Sequence, residues 1–163
     1  MSPLVTLAGI AALLGSGLIG GVFFAFSSFV MKALARLPSP EGIAAMQSIN
    51  VVVINRSFLG AFMGTAVLSL GIGGLAALDS SHPSAPYFLG AAIFYFAGTF
   101  LVTMVFNVPL NDKLAAVAAA DPAAVELWEH YLGRWTMWNH VRTAAAMMAV
   151  LLYTLGLIQN GGA

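Results

Sequence analysis

Four long apolar stretches alternate with polar connections along the chain. The first, residues 4–31, carries no charge and is closed by Lys32 and Arg36. About 20 apolar residues cross the hydrocarbon core of a bilayer, so this stretch spans with tilt or an overhanging turn. Leu37-Pro38-Ser39-Pro40-Glu41 then reads as a break and a helix start, with Ser39 as cap, Pro40 in the first turn and Glu41 favoured by the helix dipole. Gly42 to Asn55 is apolar but interrupted by Gln47, Ser48, Asn50 and Asn55, and Arg56 precedes a clean second span at 57–78. An unbroken helix from Pro40 to Leu78 would be nearly ~60 Å long, so 40–55 either lies on the membrane or extends span 2 beyond it. The third span is 87–106, ended by Asn107-Val108-Pro109-Leu110-Asn111, because proline lacks the donor that a helix interior needs and asparagine terminates well. Asp112 to Ala120 reads as a short helix, and Asp121-Pro122 starts another that runs into Trp135. The run from Thr143 to Ile158 is too short to cross alone and borrows a turn, giving a fourth span at 139–158 before a small polar tail, Gln159 to Ala163.

Composition turns this pattern into a class. Of the 163 residues 60% are hydrophobic and 7% charged, whereas a soluble domain carries about 25% charged residues. The expectation is one all-α domain over 1–163, an integral membrane four-helix bundle with short helices between spans 1 and 2 and between spans 3 and 4. The start lacks the positive region of a secretory signal and its apolar run is longer than a signal's core, so it reads as a retained span. All six cations (Lys32, Arg36, Arg56, Lys113, Arg134, Arg142) fall in the two long connections or at their span edges. By the positive-inside rule those connections are cytoplasmic and both termini are outside. With zero net charge there is no field to attract nucleic acid, and with no cysteine there is no disulfide or thiolate chemistry. Besides the bilayer, a second copy could pack through Gly17/Gly21 or Gly60/Gly64, each a pair of small residues four apart.

The chemistry concentrates at one membrane boundary. On a helix, Trp135, Trp138, Asn139 and Arg142 share a face, so two flat rings, an amide and a fixed positive charge form one stripe. Polar groups at that depth are costly and point to a site. The topology brings Asn50, Asn55, Arg56, Asn107 and Asn111 to the same side, and Phe26, one of four phenylalanines between Phe23 and Phe29, could line the same cavity or face lipid. The tryptophans could equally be an interfacial belt, and Asn107 and Asn111 mere helix terminators. No metal site is expected: His130 and His140 are ten residues apart, and the paired Glu-x-x-His motifs of a di-metal bundle are absent. No phosphate loop, serine triad or intramembrane carboxylate is visible.

Three motifs together are similar to those of a known family: Gly21-x-Phe23-Phe24-x-Phe26-Ser27, Asn107-x-Pro109-Leu110-Asn111 and Trp135-x-x-Trp138-Asn139-His140-x-Arg142. The chain resembles the anthrone oxygenases, small four-span membrane proteins, over nearly its whole length. The resemblance implies an oxygenase that converts anthrones, fused tricyclic phenols, to anthraquinones with molecular oxygen as co-substrate and no metal or organic cofactor. By motif match it implies a site of Asn107, Asn111, Trp135, Trp138, Asn139 and Arg142. In that reading Arg142, with Asn139 and Asn111, holds an enolate or phenolate oxygen, Trp135 and Trp138 stack on a lipophilic aromatic ligand, and His140 is the nearest proton acceptor. The same residues also suit a non-catalytic carrier of planar lipophilic molecules such as quinones, or a structural membrane protein whose polar groups tie helix ends together.

Overall fold

The computed structural model describes residues 2–161, and among them the chain forms five helices and no strand: α1 (Pro3–Leu34), α2 (Ser39–Val52), α3 (Arg56–Leu78), α4 (Ala85–Ala115) and α5 (Ala124–Gly161). All but α2 are long and apolar enough to cross a membrane, which makes the protein a multi-pass membrane bundle. The four spanning helices form a ring in the order α1, α3, α4, α5, with α5 closing back on α1. The polar tail continues α5 as far as Gly161, and its last two residues lie outside the described ones.

Local chemistry sets the helix ends. Ser2 caps α1, its Oγ accepting from the Val5 N–H. At α2 the cap is Pro38 rather than Ser39: its extended backbone turns its carbonyl toward the Glu41 and Gly42 N–H groups, and Ser39 becomes the first helical residue. Segment 40–55 is a separate helix that stops at Val52, because Asn55 restarts the chain as the cap of α3, its Oδ1 accepting from Phe58 N–H at 3.0 Å.

The Asn107–Asn111 motif does not end its helix. Helix α4 runs through Pro109 to Ala115, with π-helical turns over Phe94–Leu101 and Thr103–Asn107 immediately before the proline. Val108 N–H reaches back five residues to the Thr103 carbonyl. Widened turns of this kind tolerate the missing donor that an α-ladder would miss. A third π turn, Phe26–Val30, interrupts α1 at the same end of the bundle.

Helix α5 has 38 residues, about 57 Å at 1.5 Å each and nearly twice the hydrocarbon thickness. Its first turns therefore project, and α2 packs there: Ile43 and Met46 meet Leu34, Leu114, Trp128 and Tyr131 in a second core, separate from the one between the spans. Gln47 ties that core together, its Nε2 donating to the Leu114 and Val117 carbonyls at 2.8 and 3.0 Å. These are orphan acceptors at the end of α4, so one amide does the work of a C-cap.

Candidate functional site

Where the two cores meet, α1, α2, α3, α4 and α5 surround a cavity of about 300 Å³. That is the lower end of the size range of small-molecule sites. Its lining is overwhelmingly apolar (Phe23, Phe26, Ile49, Phe58 and Phe62 among others), and its polar groups come from Asn50, Thr103, Asn111 and Arg142.

Arg142 is the centre. It is 3% exposed, and the other five cations are all at the surface. Its guanidinium lies over the Phe23 ring at 4.1 Å and near the Trp135 ring at 5.0 Å, a cation–π sandwich that partly replaces lost hydration. One terminal nitrogen donates to Asn139 Oδ1 at 2.7 Å and the other to Thr103 Oγ1 at 3.2 Å. No carboxylate neutralises it, and its Nε is buried without a hydrogen-bond partner. A buried donor left unmade costs about 1–3 kcal/mol, more when charged. Arg142 is part of the cavity wall, but this nitrogen is itself covered, so a ligand oxygen reaches it only if the side chain shifts.

The neighbouring amides hold the geometry. Asn139 Nδ2 donates at 2.7 Å both to the Phe23 carbonyl, close to where α1 changes register into its π turn, and to Ser27 Oγ. Thr143 Oγ1 donates to the Asn139 carbonyl, so the 3.1 Å contact between Ser27 and Thr143 is made with the Ser27 proton. The loop of bonds locks the Asn139 amide with its oxygen on Arg142. Asn111 is locked the other way round: its Oδ1 accepts from the Tyr131 hydroxyl and the Trp135 indole N–H, each at 2.8 Å. With its acceptor taken twice, Asn111 has its amide N–H groups left to offer the cavity. The Tyr131 phenol is a protonated donor at neutral pH. Asn50 lies beside the Tyr131 hydroxyl, and its Nδ2 is a further buried donor that makes no well-aligned hydrogen bond. The cavity thus presents hydrogen-bond donors in an apolar shell, and no His, Asp or Glu lines it.

Of the residues that the sequence singles out, Phe26, Asn50, Asn111, Trp135 and Arg142 line the cavity. Asn139 stands behind Arg142. Asn107 is fully buried and donates to the Trp135 carbonyl at 3.2 Å, holding α4 to α5 without reaching the cavity. Trp138 stacks on Phe106 with ring centres 3.7 Å apart on the flank of the bundle, and His140 is exposed on the outer face of α5. Tyr131 and Thr103 were missed. The buried face of α5 runs Trp128, Tyr131, Trp135, Asn139, Arg142, Ala146, Ala149, Tyr153 and Gly156. That alternation of three- and four-residue steps, followed backwards from Arg142, finds Tyr131 and skips both Trp138 and His140. Among the described residues no three His, Asp or Glu side chains come together.

These features define a multi-pass helical membrane protein with a lipophilic cavity built around one buried guanidinium. The anthrone oxygenase family model matches residues 52–152, and the chain belongs to that family. The match covers α3, α4 and most of α5, with Thr103, Asn111, Tyr131, Trp135, Asn139 and Arg142. Phe23, Phe26 and Asn50 lie before it. No curated protein and no solved structure matches the chain.

Proposed function

We propose that the protein is a membrane-embedded oxygenase that acts on an anthrone-like planar polycyclic phenol without a metal or organic cofactor. The observation that carries this reading is the buried, carboxylate-free Arg142 in the wall of an apolar cavity. A desolvated cation aimed at a ligand oxygen favours the anion of that ligand strongly, because low dielectric magnifies the attraction. An anthrone whose oxygen sits against the Arg142 guanidinium, with Asn50 and Asn111 as further donors, loses its ring-methylene proton to water and becomes an electron-rich anion. The carbon across the central ring then bonds to molecular oxygen, giving a peroxide. Protonation, cleavage of the O–O bond and loss of the remaining hydrogen at that carbon leave a second carbonyl. One anthrone and one O₂ give one anthraquinone and one water. Trp135, Phe23 and Phe26 supply the ring contacts, and Asn139 is a positioning residue for Arg142.

One observation favours the carrier reading: no His, Asp or Glu lines the cavity to take the proton. Turnover separates the two. With purified protein, a hydroxy-anthrone and a chelator, oxygen uptake should exceed the spontaneous rate and fall to it in Arg142→Ala. Binding of the anthrone without faster uptake would establish the carrier instead.

The exposed cations Lys32, Arg36, Arg56, Lys113 and Arg134 lie toward the end that holds α2, and by the positive-inside rule we assign that end to the cytoplasm and both termini to the outside. Gly17 rests against Val150 of the same chain, while Gly60 and Gly64 have open space in front of them and are the pair that a second copy would use.

A further inference from the structure

We propose that the cavity opens sideways into the bilayer between α3 and α4, and that its planar lipophilic ligand enters from the lipid past Leu59, Met63 and Met104. This rests on the reading of the cavity as a ligand site, but not on oxygenation.

Three observations converge on this mouth. Met63 and Met104 both line the cavity and yet are 45% and 47% exposed on the outer surface, and Leu59 is likewise exposed. At these positions a single layer of side chains separates the cavity from the lipid. Helix α3 packs along Ala85–Leu101 of α4, but the close packing does not extend to Thr103–Asn107, where α4 has the π turns beside the cavity. The helices part where the cavity lies. The level of the mouth also fits: Met63 is seven residues beyond Arg56, about 10 Å along the helix, and the surrounding surface (Leu101, Val105, Val67) is apolar and exposed. On the opposite side Gly20 lets α1 close on Ala146 and Met147 of α5, while Ile54, which also lines the cavity and is exposed, extends the mouth along α3 to the α2–α3 corner. Unbranched methionines can fold back from such a rim as a flat ring system passes.

The test uses the absence of native cysteine. A single Thr103→Cys places a thiol on the cavity wall, where the Arg142 guanidinium favours the reactive thiolate. In protein reconstituted in phosphatidylcholine vesicles, membrane-soluble N-phenylmaleimide should label it, and a charged methanethiosulfonate should not. Adding Met63→Trp and Met104→Trp should slow labelling about tenfold by narrowing access, whereas Met63→Ala with Met104→Ala should not slow it. Unfolding exposes the thiol and speeds labelling, so a slowed reaction cannot come from a misfolded variant. Equal rates with the tryptophan pair, faster labelling by the charged reagent, or no labelling of the parent would each overturn the portal. Access controlled by the methionines in a protein without oxygen uptake would sink the oxygenase and leave the portal standing. Uptake with insensitive labelling would do the reverse.

Discussion

At the end of the bundle that holds both termini, Gly156 brings α5 so close to α4 that an added Cβ would meet the Phe88 ring at 2.8 Å, and Gly73 leaves only 2.6 Å to Ala92. Tyr153 there donates to Ser69 at 2.9 Å and Ser16 to the Ala12 carbonyl at 2.7 Å, while Asn160 Oδ1 is buried without a partner. The other end holds a cavity, three stretches of π helix, and buried Asn50 Nδ2, Asn107 Oδ1 and Arg142 Nε without well-aligned hydrogen bonds. The first end has a cleft of similar size between α1 and α3, but its lining is wholly apolar, whereas the cavity at the other end has a cation and amides in its wall. Folding alone gives no reason to keep an unpaired cation in an apolar wall, and such local inconsistencies mark function.

The largest expected effect follows from that contrast. Arg142→Met keeps length and apolar bulk but removes the charge. Affinity for an anthrone or a hydroxyanthraquinone should fall about 100-fold, because a charge-assisted contact is lost. Stability should change by no more than about 2 kcal/mol, since relief of a buried cation without a counter-ion offsets the loss of its hydrogen bond to Asn139 Oδ1. Titration calorimetry and thermal unfolding in detergent check both halves, and a collapse of stability with affinity intact would make Arg142 a structural tie.

Gly156→Val should do the opposite. Its branched side chain is forced against Phe88, overpacking that costs about 1–3 kcal/mol. The unfolding temperature should drop while the folded fraction binds ligand as the wild type does. A loss of affinity equal to that of Arg142→Met would mean that the two ends are coupled.

The contrast also explains what the sequence could reveal. The spans were legible because uncharged runs of their length have no soluble alternative, and Arg142 because a cation inside such a run is rare. The course of α4 through Pro109 was not, since register changes into π helix depend on what packs against the helix and leave no local signature. Trp138 and His140 look like site residues beside Asn139, but a face wide enough to include i+3 and i+5 is broader than the seam that α5 buries. Asn111 could be placed near the site from its motif. That its oxygen is held by Tyr131 and Trp135, so that it acts as a donor, needed the third dimension.

The smallest effect is expected at His140, and it is informative because imidazole is the obvious proton acceptor near neutral pH. The side chain is on the exposed face of α5 and the cavity lining does not include it. His140→Ala should therefore leave stability within about 0.5 kcal/mol of wild type, as surface substitutions do. Oxygen uptake should stay within about twofold across neutral pH if the anion forms because Arg142 stabilises it and water removes the proton. A large drop in turnover with unchanged ligand affinity would restore the histidine as the base. It would also require α5 to rotate or a second copy to bring that face to the cavity. The functional end would then lose the feature that most separates it from a hydrolase-like site: charge placed to stabilise an anion, with no base beside it.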